Sequence, residues 1–356
     1  MLYKLSEIAS VIMGQSPKSS SYNSDMLGLP FLQGGTTFGD KYPYFDIWTT
    51  EWNKEANPND ILFTVRAPVG DLNIANTKIA IGRGIAAIRP KKVTTLYLYY
   101  LLQTNKHIFL TSSVGTIFDS INKDALESVY LDIHKEQDQH HIVNTIGSVD
   151  NLIENYQSQI EKIIKIGDHL LITDSNKKSI IEYVDVLLGG TPSRKHLEYW
   201  NGDIKWINSG AITGTPAILK ESDFITIDGV KHSATKSANK GDTVLSIIEP
   251  SKSKVALILD DNVYFNQSVI CFSSKNKLDK GFIFFASRSL IEEIKGYATG
   301  AAQQSLNKEM IEKSKIHVPN QKTKIKLNNF FYSIISLEEK IRKLTILKEM
   351  LLLKYF

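Results

Sequence analysis

From Gln137 onward the apolar positions fall into a narrow rhythm. Ile142, Ile146, Val149, Ile153, Tyr156, Ile160, Ile163 and Leu170 recur four and three apart, with Gly167 at the one broken position. That spacing predicts a long amphipathic helix with a heptad seam. Near the end of the chain the rhythm returns at Leu327, Phe331, Ile334, Leu337, Ile341 and Leu344, then slips within ILKEMLLLKYF as in a stutter. A helix of about 33 residues is roughly 50 Å long at ~1.5 Å per residue. The rest of the chain has a different texture. Residues 1 to 135 carry short β-prone runs, DILFTV, KIAIG and GIAAIRP, punctuated by Gly, Pro, Asn and Asp, with helix expected near LYLYYLLQTN. Residues 173 to 320 match them with DTVLSII, KVALIL and SVICF.

The two textures alternate because the chain repeats itself. GTIFDSINKDALESVYLDI from Gly115 is answered by GAAQQSLNKEMIEKSKIHV from Gly300, an offset of 185. SVIMGQSP ending at Pro17 is answered by DVLLGGTP ending at Pro192, and FLQGG from Phe31 by WINSG from Trp206, both at an offset of 175. The ten extra residues are therefore expected as loop insertions in the second copy. The predicted architecture is α+β: a module at 1–135, a long helix at 136–172, a second module at 173–320 and a second long helix at 321–356. An internal two-fold would lay the helices antiparallel with their seams together and one module at each end. The alternative is that each helix lies on its own module; the narrowness of the seam favours helix against helix.

Composition supports packed domains. The chain of 356 residues suits two domains, and 42% hydrophobic with 22% charged residues lies outside the disordered range. No apolar run approaches the ~20 residues that span a bilayer, and MLYKLSEIAS lacks the pattern of a signal peptide, so a cytoplasmic protein without membrane contact is expected. The single cysteine, Cys271, sits in SVICF and reads as a buried small hydrophobe. Net charge is +4, but residues 321–356 alone carry eight Lys or Arg against three Glu, a net of +5. The remainder is close to neutral, so any nucleic-acid surface must arise from local clustering.

Catalytic constellations are missing from the sequence. There is no GxxxxGK[ST] phosphate loop, and ANPND around Pro58 lacks the second proline and the aromatic of an [ND]-P-P-[YF] methyltransferase loop. GRG at Gly82–Gly84 is too short for a dinucleotide fingerprint. His140 and His141 are adjacent rather than one helical turn apart, as two zinc ligands on a helix would need to be, so no metal is expected.

Taken together, LGGTPS from Leu188 with its echo MGQSPKS, YWNGDIKWINSGAI, ILFTVRAPVGDLNIAN and the doubled Ser-Leu/Ile-Asn-Lys segment resemble the specificity (S) subunit of type I restriction-modification enzymes over the whole chain. The resemblance implies two pseudo-two-fold-related target-recognition domains separated by two long antiparallel coiled-coil helices. It implies that each domain reads one half of a bipartite site in double-stranded DNA, while the helices set the gap and dock two modification (methyltransferase) subunits. Restriction or translocase subunits would join the complex, and S-adenosylmethionine would be held by the partners, this chain binding no cofactor. A specificity protein serving a bifunctional nuclease-methylase shares this design, and a structural adaptor with two β modules is a third reading.

Side-chain chemistry narrows the contacts. Bases are read by Arg, Lys, Asn, Gln, Ser and Thr, while phosphates are held by cations, small hydroxyls and backbone amides. Lys18, Ser19, Ser193, Arg194 and Lys195 in the two Gly-rich turns are the leading candidates for DNA contact. Arg66 and Arg83 stand beside apolar strand residues, where a core-edge ion pair competes with a DNA role. In the second copy Lys252 or Lys254 stands in for Arg66. Thr116, Gln303 and Gln304 lie in equivalent Gly-led loops, with capping of the following helix as the simpler reading. Trp200 and Trp206 read as core.

Overall fold

The computed structural model describes residues 1–111, 120–173, 175–248, 254–294 and 306–356. The β-prone runs form the strands, and the two repeats build matching sheets, except that the third has five strands in the first repeat and four in the second. In the first, Leu2–Lys4 pairs with Tyr130–Asp132, and an antiparallel sheet runs in the order Ala9–Met13, Ile85–Pro90, Ile61–Thr64, Leu72–Ile74. In the second, Ser175–Ser179 pairs with Lys315–Pro319, and the matching sheet runs Val184–Leu188, Val269–Ser274, Thr243–Ser246, Val255–Leu257. A further sheet in each repeat is built around one parallel pair, Phe31 opposite Ala80 in the first and Trp206 opposite Tyr264 in the second.

Register locates the inserted residues. The 175-residue offset holds at Trp206, but Thr243–Ser246 begins 182 residues after its counterpart Ile61–Thr64. Seven of the ten extra residues therefore enter between these points. The repeated Asn-Lys of the doubled segment also finds its reason here. The Asn122 side chain accepts from the Ala125 N–H at 2.8 Å and the Asn307 side chain from the Met310 N–H at 2.9 Å, capping the helices Lys123–Ser128 and Lys308–Glu312. The caps are thus the asparagines. Thr116, Gln303 and Gln304 lie outside the described residues.

The two long helices run Glu136–Thr173 and Gln321–Tyr355. The chain divides into two compact units, Met1–Asn151 with Leu347–Phe356, and Leu152–Ile346, so the boundary cuts both helices instead of setting them apart as separate segments. The reason is hydrophobic: each helix half belongs to a domain core. In the first unit Ile142, Ile146 and Leu352 join the core formed by Leu5, Ile61, Phe63, Tyr97 and Tyr100. There the helices run antiparallel, since His141 bonds Tyr355 while Asp150 bonds Lys348. In the second unit Ile160, Ile164, Leu171, Leu327, Phe331, Ile334, Leu337 and Ile341 pack with Phe272, Phe282, Phe284 and Phe285.

The buried stripe departs from the expected seam in a consistent direction. Ile153, Tyr156, Ile163 and Leu170 are only half-buried, while Ile164 and Leu171, one residue further on, are deeply buried. Leu344 is likewise half-buried, and the deep positions pass from Ile341 to Leu352. A straight helix of ~3.6 residues per turn drifts off a 3.5-residue repeat by roughly 20° per heptad, which moves the burial line by one residue after a few turns. Among the seam residues, Ile142, Ile146, Val149, Ile160, Leu327, Phe331, Ile334, Leu337 and Ile341 are buried as expected.

Gly167, the gap in the rhythm, is explained by its neighbour. A Cβ there would lie 2.2 Å from Cε1 of Phe285, a ring with no solvent exposure on the helix Lys280–Ile294. Replacing Gly167 with Ala, which favours helix by ~1 kcal/mol in isolation, is therefore expected to destabilise the second unit by about 1–3 kcal/mol through overpacking. Thermal melting of the full chain would check this, with Phe285→Leu in the same chain recovering most of the loss. A Gly167→Ala chain as stable as the parent would show that the ring moves aside freely.

Candidate nucleic-acid interface

In the first unit three loops meet at one face, and glycines allow the approach. A Cβ on Gly14 would lie 2.2 Å from the Gly82 carbonyl oxygen, and one on Gly84 would lie 2.4 Å from that of Gln33. Backbone bonds fix the arrangement: Gly14 N–H donates to Ile85 (2.9 Å), Gln15 N–H to Ile81 (2.9 Å), Gly82 N–H to Leu32 (2.8 Å) and Gly84 N–H to Gln33 (3.1 Å). Ser16 Oγ donates to Gln33 Oε1 at 3.3 Å and accepts from the Arg83 N–H at 3.2 Å. Lys18 and Ser19 follow in the same turn and are exposed. The Lys18 carbonyl accepts from both Ser21 N–H and Ser21 Oγ, which holds the turn while leaving the ammonium in solvent.

Arg66 and Arg83 are also exposed, and among the described residues neither forms an ion pair. The core-edge ion pair is made instead by Arg89, whose Nε and Nη2 hold both oxygens of buried Asp60 at 2.9 and 2.7 Å. Val65, next to Arg66, donates to the Gly84 carbonyl, which brings Arg66 to the same loop system.

The second unit rebuilds this face with other side chains. Gly189 and Gly190 pack against the backbone of Phe265 and of Ala234–Thr235, where a Cβ would come within 2.1 and 2.6 Å. Gly190 N–H donates to Phe265 and Asn266 N–H to Ile207. Thr191, the counterpart of Ser16, donates its hydroxyl to Gln267 Oε1. Gln267, Ser193 and Lys195 are exposed.

Arg194 is engaged within its own domain. Its Nη2 lies 2.7 Å from Asp223 Oδ2 and its guanidinium carbon 3.3 Å from the centroid of the Trp200 ring. Trp200 and Trp206 are buried core, 5.2 Å apart edge to face. Arg194 thus closes the outer end of an aromatic stack as well as facing solvent. Lys254 is half-buried and its carbonyl accepts from the Ser246 N–H; Lys252 lies outside the described residues.

Some polar groups have partners too remote in sequence for local pattern to reveal. Asp260 is held by Lys205 at 2.7 Å and by Arg342 of the second long helix at 2.8 Å. Burial opposes its ionisation, but the two cations outweigh burial and hold the carboxyl below its ordinary range. Tyr199 lies stacked between His196 and His232, with centroids 4.9 and 5.6 Å away. Cys271 is fully buried, and desolvation pushes its thiol well above the ordinary value. Among the described residues, no three His, Cys, Asp or Glu side chains converge as a metal site, and no helix is long and apolar enough to cross a membrane.

A fold unit used twice, each time presenting a glycine-tight face of cations, hydroxyls and amides, defines a protein with two recognition domains of one kind. The chain belongs to the type I restriction modification DNA specificity domain family, whose profile matches residues 1–165 and again 173–345. It is 41% identical over 168 residues, 46% of its length, to a Methanocaldococcus jannaschii protein assigned as the specificity subunit of the type I restriction enzyme MjaX. It is 26% identical over 216 residues, 58% of its length, to the MjaIX specificity subunit of the same organism. The chain spans about half the length of these two relatives, 40% and 50%. Its fold is similar to that of a type I restriction-modification S subunit from M. genitalium, with a TM-score of 0.55, 14% identity, and coverage of 100% of this chain and 96% of that one.

Proposed function

We propose that the chain is the non-catalytic DNA-recognition subunit of a type I restriction-modification complex. Each domain reads one half of a bipartite duplex target, and the long helices set the unspecified gap and dock two modification subunits, which carry S-adenosylmethionine; restriction subunits complete the assembly. The observation that carries this reading is the doubled face: one scaffold with the same backbone bonds at the Gly14 and Gly189 turns holds Ser16, Lys18, Gln33 and Arg83 in one domain and Thr191, Lys195 and Gln267 in the other. A protein that needs two different short sequences read by the same geometry requires this combination of constant frame and changing tips.

The test is the salt dependence of duplex binding. Phosphate contacts release counterions, so log K falls with log salt by about 0.9 per contact. Lys18→Ala and Lys195→Ala are each expected to lower that slope by about one unit without changing the preferred sequence. Arg194→Ala is expected to leave the slope nearly unchanged, because its charge is already paired with Asp223. Absence of any salt-dependent duplex affinity in the assembled complex would sink the reading in favour of a protein-binding adaptor.

A further inference from the structure

One position stands at the tip of each face and differs between the two domains while the strands that carry it are equivalent. Arg83 lies two residues after the strand Ile79–Ile81 and two before Ile85–Pro90. Gln267 lies two residues after Val263–Phe265 and two before Val269–Ser274. The flanking strands pair in the same way in both domains, so the two side chains leave the same place in the fold. Both turns are braced by a hydroxyl two residues beyond the Gly of the opposing turn: Ser16 Oγ accepts from the Arg83 N–H, and Thr191 Oγ1 donates to Gln267 Oε1. Both side chains are exposed, and Arg83 has no ion pair among the described residues.

We infer that Arg83 and Gln267 are equivalent base-reading residues, Arg83 selecting a G·C pair in the first half-site and Gln267 an A·T pair in the second. This rests on the DNA-recognition reading above. The chemistry follows from donor and acceptor patterns. A guanidinium presents two parallel donors, which match the N7 and O6 acceptors of guanine in the major groove. A carboxamide presents one acceptor and one donor, which match N6–H and N7 of adenine. The Thr191 hydroxyl donates to Gln267 Oε1, and that oxygen keeps a second lone pair for adenine N6–H. In the first domain the brace is made to the Arg83 backbone instead, leaving all five guanidinium donors available. The glycines on either side of Arg83 let the turn pack closely on Ser16 and Gln33, which sets Arg83 out as the exposed residue between two buried ones.

The experiment uses the full chain co-expressed with its modification subunits, selecting bound duplexes from a library of randomised double-stranded DNA. The parent complex should select a two-part motif. Arg83→Gln should convert one G·C position in one half to A·T and leave the other half untouched; Gln267→Arg should convert one A·T position in the other half to G·C. Arg83→Ala should relax the same position, losing about ten- to a hundredfold preference. An unchanged motif in these variants, or a uniform loss of affinity across all sequences, would overturn the assignment while leaving DNA recognition intact, the second pattern marking Arg83 as a phosphate contact. A parent complex that selects no motif would instead remove the recognition reading itself.

Discussion

Replacing Asp150 with alanine is expected to destabilise the first unit by about 3–5 kcal/mol, the cost of breaking a buried ion pair by removing one partner. Asp150 is 4% exposed on the first long helix. One oxygen accepts from Lys348 Nζ of the second helix at 2.6 Å, and the other from the hydroxyl of fully buried Tyr100 at 2.6 Å. Tyr100 belongs to Thr95–Thr104, a helix of the recognition domain whose Tyr97 to Leu102 are all buried. One carboxylate therefore ties three elements, and its loss takes the carboxylate partner from a half-buried ammonium and from the Tyr100 hydroxyl together. Exchange of the whole pair, Asp150→Leu with Lys348→Met, should recover most of the stability, because the desolvation cost of both charges disappears with them. Denaturant unfolding and amide exchange of the first unit would measure the two variants. If the double variant were as unstable as the single one, the loss would lie in packing and not in the orphaned charge.

Glu338 works against the fold, and its replacement should stabilise the protein in a pH-dependent way. It is 3% exposed on the second long helix, between Leu337 and Ile341 of the core, and desolvation raises its carboxyl from 4.5 to about 7. Below pH 4.5 the group is neutral whether the chain is folded or not, and it contributes nothing. Between pH 4.5 and about 7 the unfolded chain releases its proton while the folded chain retains it, so stability falls as pH rises. Above pH 7 the full penalty is present, on the order of 3 kcal/mol for this displacement. Glu338→Gln is therefore expected to melt several degrees above the parent at pH 8 and within about a degree of it at pH 4.5, at a few degrees per kcal/mol. Equal pH slopes for the two proteins would show that the carboxylate is solvated or paired in the fold.

Buried charges of this kind leave no mark in the local pattern. In the sequence, Asp150 and Glu338 read as ordinary polar positions beside an apolar seam, because a heptad pattern assigns faces by counting along one helix. Their burial depends on what packs over the next face, and that surface is supplied by residues such as Tyr100, far away in the chain. The displacement of the stripe from Ile163 to Ile164 and from Leu170 to Leu171 has a different origin: a heptad repeats every 3.5 residues, while burial follows the ~3.6 of a straight helix. Arg194 shows the converse limit. Its neighbours in sequence, Ser193 and Lys195, suggest a solvated anion site, yet its partners Trp200 and Asp223 come from a strand and its paired edge.

What the sequence determined by itself was everything that depends on local order and on the repeat. The doubled segments specify two copies of one α+β domain, the β-prone runs between turn residues place the strands, the apolar rhythm places both long helices, and Gly14, Gly189 and Gly190 mark the tight turns. These features are legible because period and turn chemistry act over a few residues. Only the tertiary structure decided which polar residues share a face. Ser16, Gln33 and Arg83 meet through three separate loops, Thr191 and Gln267 through two, and the pairing of Ser16 with residue 83 spans 67 positions. Such meetings depend on strand register, and in these sheets register is set jointly by the buried faces of several strands. The face that meets a ligand is therefore a property of the packed sheets, while the chain order shows only that there are two of them.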